Sequence, residues 1–119
     1  MYDKNNIFAK ILRKEIPCDK VYENDFVLAF HDISPQKKIH VLLIPKGEYI
    51  NLDHFIENAK EKEIVEFNKA INHVVKILKI SSNDNGYRVL SNIGSDGGQE
   101  VPHLHYHIFG GEKIGKMVN

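Results

Sequence analysis

The sequence predicts an α+β protein: an antiparallel five-stranded sheet with one long and one short helix. Three observations carry that expectation. Apolar residues repeat at helical spacing in two main stretches, one short and one long. Five short runs that read as strands occupy much of the remaining chain. Most neighbouring runs are joined by connections too short for the crossover helix that parallel pairing requires. Helices are expected over one face of the sheet, with the other face left for a ligand groove or a subunit contact.

The short helix is read over Asn6 to Glu15, where Asn6 can cap it and Ile7, Phe8, Ile11 and Leu12 form one stripe. Pro17 is expected to stop it. Val21 to Glu23 and Phe26 to Phe30 form a hairpin about Asn24-Asp25, whose side chains can bond their own backbone. After the polar stretch Ser34 to Lys38, the unbroken apolar run Ile39 to Ile44 reads as a buried strand that His40 helps to open. The long helix follows from Ile64, Phe67, Ile71, Val74, Val75 and Leu78. Leu52 to Ala59 fits either a separate helical turn or an extension of it. A turn at Asn83 to Gly86 leads to a strand at Tyr87 to Leu90. A loop at Gly94 to Gly98 then leads to a last strand from about His103 to Phe109, closed by Gly110-Gly111 and a short charged tail from Glu112 to Asn119.

One domain spanning residues 1–119 is expected, with a core that buries roughly two thirds of the unfolded surface. Sixteen Lys plus Arg balance sixteen Asp plus Glu, so no overall field draws nucleic acid or an acidic membrane to the surface, and an anion site must be local. Cys18 is the single cysteine, which excludes an internal disulfide and a cysteine zinc cluster and fits a reducing compartment. The first residues hold no apolar run of the kind that marks a signal peptide, and a cytoplasmic location is expected.

His103, His105 and His107 alternate with Leu104, Tyr106 and Ile108, so a strand would line three imidazoles along one face. That alternation suits two chemistries. Histidines two apart on a strand can hold zinc, and a neutral imidazole, with a pKa near 6.5, can attack phosphorus. The Gly-rich loop just before the run suits an anion better than a cation, because its backbone N–H groups can converge on phosphate oxygens. Neither a metal nor another cofactor is expected.

The segment from Gly94 through Gln99-Glu100-Val101-Pro102-His103-Leu104-His105-Tyr106-His107 to Gly111 resembles the signature of the histidine triad family, and within it the branch of histidine triad nucleotide-binding proteins. Ala29 to Gln36 and His40 to Lys46 resemble that branch's other two marker segments, and the likeness spans about Phe8 to Gly111. The resemblance implies an antiparallel α+β fold, a homodimer and a purine nucleotide substrate. It implies that His105 attacks phosphorus to form a nucleotidyl-imidazole that water hydrolyses. His103 and His107 would hold phosphate oxygens and help to protonate the leaving group, while His40 closes the site from the adjacent strand. Asn92 and Gln99, with the backbone N–H groups of Glu100 and Val101, would meet the phosphate or the leaving group.

Asp32 matches the acid that binds ribose hydroxyls, and a turn role before Ser34-Pro35 is equally open to it. Phe8, Phe30 and Ile33 match residues that enclose the base, although core packing explains apolar side chains as well. His31 would at most line the pocket, and His54 and His73 are expected to face solvent. Two departures stand out: Glu100 occupies a position where better-known eukaryotic members carry serine, and the tail has no tryptophan. The first functional expectation is a purine nucleoside phosphoramidate hydrolase. The alternatives are a dinucleoside polyphosphate hydrolase of the same family, which the Gly110-Gly111 pair disfavours, and a nucleotide-binding module without chemistry.

Overall fold

The computed structural model of the chain describes residues 1–117; of the expected tail, Val118 and Asn119 lie outside the described residues. The elements run α1 (Ile7–Leu12), β1 (Lys20–Glu23), β2 (Val27–His31), β3 (Ile39–Pro45), α2 (Leu52–Asn58), α3 (Glu61–Ile77), β4 (Arg88–Leu90) and β5 (Tyr106–Gly110). The strands form one sheet in the order β1-β2-β3-β5-β4, antiparallel throughout. β3 is central and pairs with β5 from Ile39 opposite Gly110 to Leu43 opposite Tyr106.

Strand alternation divides the core in two. Val27 and Ala29 of β2, Val41 and Leu43 of β3 and Ile108 of β5 pack with Phe55 of α2 and Phe67, Val74 and Val75 of α3. Phe55 and Phe67 are each 1% exposed and meet edge to face at 5.3 Å, and burying each contributes about 2–3 kcal/mol. Leu28, Phe30, Leu42 and Ile44 point the other way and pack with Phe8 and Ile11 of α1. Helices therefore lie on both faces rather than on one, because the apolar stripe of α1 needs its own surface to bury. The cavity described below opens on this α1 side.

The end of α1 and the start of the last strand also differ from the sequence reading. The α1 helix begins as expected, with the Asn6 side chain accepting from Ala9 N–H at 2.9 Å, but it ends at Leu12, well before Pro17. The stop is local: Lys14 takes a left-handed φ of 63°, while Lys14 N–H donates to Ile11 O and Glu15 N–H to Lys10 O. The α3 helix closes in the same way, with Lys79 at φ 59° and Ile80 N–H donating to Val75 O. Each lysine there costs about 1 kcal/mol relative to glycine. At the second end Ile80, 4% exposed, docks into the core and offsets that cost.

The segment left open before the long helix is a helix of its own, so the fold has three. Asn51 caps α2 by accepting from His54 N–H at 2.9 Å, and an extended backbone at Ala59 and Lys60 separates it from α3. The last strand begins at Tyr106 instead of about His103, because Leu104 N–H turns away to donate to Tyr49 O at 2.8 Å. No helix among the described residues is long and apolar enough to cross a membrane.

Candidate active site

A cavity of about 460 Å³ lies beside α1 where β3 and β5 meet. His40 and Leu42 of β3 line it together with His107 of β5, His105 just ahead of that strand, and Phe8 of α1. The β2–β3 loop contributes Asp32, Ser34 and Gln36, and the segment before β5 contributes Asn92, Gly98, Glu100 and Val101. That segment turns tightly: a Cβ on Gly97 would stand 2.3 Å from the Ile93 carbonyl oxygen, and Gly98 adopts a φ of 76°. Although the ladder starts late, alternation survives through the loop. Leu104 and Ile108 join the core beneath α2 and α3, with Tyr106 packed against it, whereas His105 and His107 turn to the cavity.

The hydrogen bonds assign the ring protons. His105 Nδ1 lies 2.7 Å from the His103 carbonyl, which can only accept, so Nδ1 carries the hydrogen and Nε2 keeps a lone pair. His40 Nδ1 accepts from Gln36 N–H at 3.1 Å, so its proton sits on Nε2 and is donated to His107 Nδ1 at 2.9 Å. The His107 proton is thereby placed on its own Nε2. Every buried side-chain nitrogen or oxygen among the described residues has a partner, and the Nε2 atoms of His105 and His107 have none among those residues, so both reach the open side of the cavity. The cavity thus receives a lone pair from His105 and an N–H from His107.

Burial favours the neutral ring at each of these positions. It pushes His103 and His107 down to about 4, with His105 adding a smaller push on both and His40 a further one on His107. It also lowers His105 and His40; at His40, Asp32 opposes the shift from 3.5 Å. At neutral pH the site is a set of uncharged imidazoles with fixed tautomers.

Residues 13–114 match the model of the HIT domain. The chain belongs to the HIT family. A HIT-like protein of Azospirillum brasilense, itself uncharacterised, is 50% identical over 98% of this chain and 94% of its own length. One from Rickettsia prowazekii is 40% identical over the whole of this chain and 98% of its own. Among solved structures, a histidine triad protein from Clostridium difficile superposes with a TM-score of 0.85 at 44% identity, covering 98% of both chains. A HIT family hydrolase from Clostridium thermocellum superposes with a TM-score of 0.83 at 36% identity, covering 98% of this chain and 99% of its own. The chain therefore has the fold of HIT family hydrolases.

Of the residues singled out in the sequence, this HIT domain brings Phe8, Asp32, His40, Asn92, Glu100, Val101, His105 and His107 to one cavity. Four others lie elsewhere. His103 is fully buried behind His105, with Nε2 2.8 Å from the Pro45 carbonyl and Nδ1 2.6 Å from the Tyr2 hydroxyl, so neither nitrogen is free for a phosphate. The Gln99 amide donates to the carbonyls of Ile50 and Val101 and accepts from Gly94 N–H, which holds the loop closed. Phe30 is a core residue packed edge to face on Phe8 at 5.8 Å. Ile33 is 90% exposed and encloses nothing within the chain.

Asp32 makes the turn expected before Ser34-Pro35 and also lines the cavity. One carboxylate oxygen accepts from Ser34 N–H at 2.8 Å, while the residue also lines the cavity beside His40. His73 is exposed as expected, stacked on Tyr22, but His54 is half-buried, its Nδ1 accepting from Ile50 N–H. Sequence reading passed over Ser34, Gln36 and Leu42 as lining residues, whereas Gly98 belongs to the loop it had singled out for an anion. Gln36 acts through its backbone, which no side-chain pattern marks.

Asp32, His40 and His107 offer ligand atoms within 4.8 Å of one another and could hold a cation, the one such group among the described residues. Doing so would displace the proton that His40 donates to His107, since two imidazole nitrogens on one zinc stand roughly 3.3 Å apart. A larger, open cavity of about 670 Å³ lies between Asn85–Arg88 and Gly111–Gly115, but no histidine reaches it.

Proposed function

We propose that this cavity hydrolyses a purine nucleoside phosphoramidate, releasing a nucleoside monophosphate and an amine. The observation that supports it most is the pairing of a lone pair on His105 with an N–H on His107 at the wall of one cavity. His105 Nε2 attacks phosphorus as the P–N bond to the leaving group breaks, which gives a nucleotidyl-imidazole. Water then attacks phosphorus and breaks the new P–N bond, restoring the lone pair. His107 Nε2–H donates to a phosphate oxygen, where negative charge gathers. A bound phosphate anion favours imidazolium beside it, so a proton taken up at His107 or His40 on binding is available to the departing amine. Phe8 and Asp32 line the same cavity, which supports contact with the base and the ribose hydroxyls, and Glu100 borders the same space.

The test is to incubate the purified protein with adenosine 5′-phosphoramidate and with diadenosine polyphosphate and to follow AMP release. AMP is expected to appear faster from the phosphoramidate. Faster turnover of the dinucleotide would move the assignment to the sister activity, and nucleotide binding without turnover of either would leave only a binding module. On family resemblance we also propose that two copies pair and act in the cytoplasm. Sedimentation at twice the 13.7 kDa chain mass is the expected result, and a species at the chain mass alone would refute the pairing.

A further inference from the structure

His103 is buried, touches no cavity, and is gripped by a residue outside the matched HIT segment. Its Nε2 donates to the Pro45 carbonyl at 2.8 Å, so its Nδ1 holds a lone pair, and the Tyr2 hydroxyl 2.6 Å away must be the donor. The rings of Tyr2 and His103 meet edge to face at 5.6 Å, and Phe8 closes on His103 and His105 at 6.3 and 4.9 Å. The carbonyl of this same His103 accepts from His105 Nδ1–H, and the following peptide N–H, that of Leu104, donates to Tyr49 O. The peptide that orients His105 is thus held on one side by Tyr49 and on the other by a ring clamped between Tyr2 and β3.

We propose that Tyr2 is a positioning residue for the nucleophile: by donating to His103 Nδ1 it fixes the ring, and with it the carbonyl that sets the His105 tautomer. The proposal rests on His105 being the attacking group. Tyr2 does not line the phosphate site, and it acts through His103. Burial raises its own pKa, so the hydroxyl keeps its proton across the working range. Without that hydroxyl, His103 Nδ1 becomes an unpaired buried acceptor that can take up a proton. The charged groups nearest the pair, Glu48, Asp3 and Arg13, do not hydrogen-bond His103, while the side chain of Asn6 reaches Tyr2. A cation on His103 would also lie against His105.

Tyr2→Phe removes the donor and keeps the ring. It should lower kcat by about fivefold to tenfold, the scale of one buried hydrogen bond, with KM changed by less than about twofold. The acid limb of kcat/KM should move to higher pH as His103 becomes able to protonate. A residue that merely aided folding would move neither that limb nor the ring nitrogens. Long-range proton–nitrogen NMR on the labelled protein reads the rings directly. The unsubstituted protein should show His103 protonated on Nε2 and His105 on Nδ1. In Tyr2→Phe, where Pro45 still holds the His103 proton on Nε2, the His103 Nδ1 shift should change and His105 should become a tautomer mixture. A proton on His103 Nδ1 in the unsubstituted protein would overturn the proposal without any variant. So would a folded Tyr2→Phe protein with kcat, acid limb and His105 nitrogens unchanged. Since the spectra need no turnover, a protein that cleaves no phosphoramidate refutes the proposed function while the spectra still decide the role of Tyr2.

Discussion

His105→Ala is expected to lower kcat for phosphoramidate hydrolysis by at least about four orders of magnitude while leaving nucleoside monophosphate affinity within about tenfold. Among the cavity imidazoles, His105 alone has its Nδ1 proton held by a backbone carbonyl and its Nε2 pair free. His107 cannot substitute, because the proton donated by His40 occupies the nitrogen opposite and leaves Nε2 protonated. Binding should survive because Phe8, Asp32 and the loop before β5 are untouched. His105 is 6% exposed, so the change opens a small gap beside Phe8; His105→Asn, which fills more of it, should be equally inactive. Single-turnover quenching for chemistry and calorimetric titration for binding separate the two quantities. More than a few per cent of the original kcat in either folded variant would remove His105 from its role.

Acidification should produce the second large effect, on stability. His103 and His107 sit near pKa 4 in the folded protein, whereas an unfolded histidine titrates near 6.5. Between those values the unfolded chain binds more protons than the folded one, so stability is full above about pH 6.5 and falls as pH approaches 4. The two rings together account for roughly 3–6 kcal/mol, a large share of the 5–15 kcal/mol that holds an ordinary domain. His40 and His105, shifted in the same direction, add to the loss. Glu23, held near 2 by Lys46 and Lys20, titrates below this window and is largely exposed, so it contributes little there. Urea midpoints measured from pH 7.5 to 4.5 should therefore fall steadily. A flat series would show that these rings are not buried neutral.

What could be read in advance was periodicity and spacing. Apolar continuity marked Ile39 to Ile44 as a buried strand, and alternation from His103 to Ile108 set His105 and His107 on one face although the ladder begins only at Tyr106. What escaped reading was decided by the backbone or by the context of a whole face. Lysines in left-handed geometry end α1 and α3 where glycine would have given notice, and Ala59 separates α2 from α3 without any breaker residue. Gln99 and His103 carry polar groups that a sequence motif suggests are aimed at ligand, yet both are consumed in holding the chain that presents their neighbours. Ile33 looked apolar enough to enclose a base but lies in an exposed turn.

The ring tautomers also say where the site's information is stored. Gln36 N–H, the Pro45 carbonyl and the His103 carbonyl are main-chain atoms, the carbonyls present whatever residue occupies the position and the N–H with any residue but proline. Transplanting the four histidines onto another sheet would carry over the reagents without the wiring that sets their polarity. Conversely, side-chain substitutions at positions 36 and 45 should leave these bonds in place as long as the path of the chain is kept and residue 36 is not proline. Beyond the histidines themselves, Tyr2 is the link in the circuit written in a side chain, and a single nucleotide change can cut it.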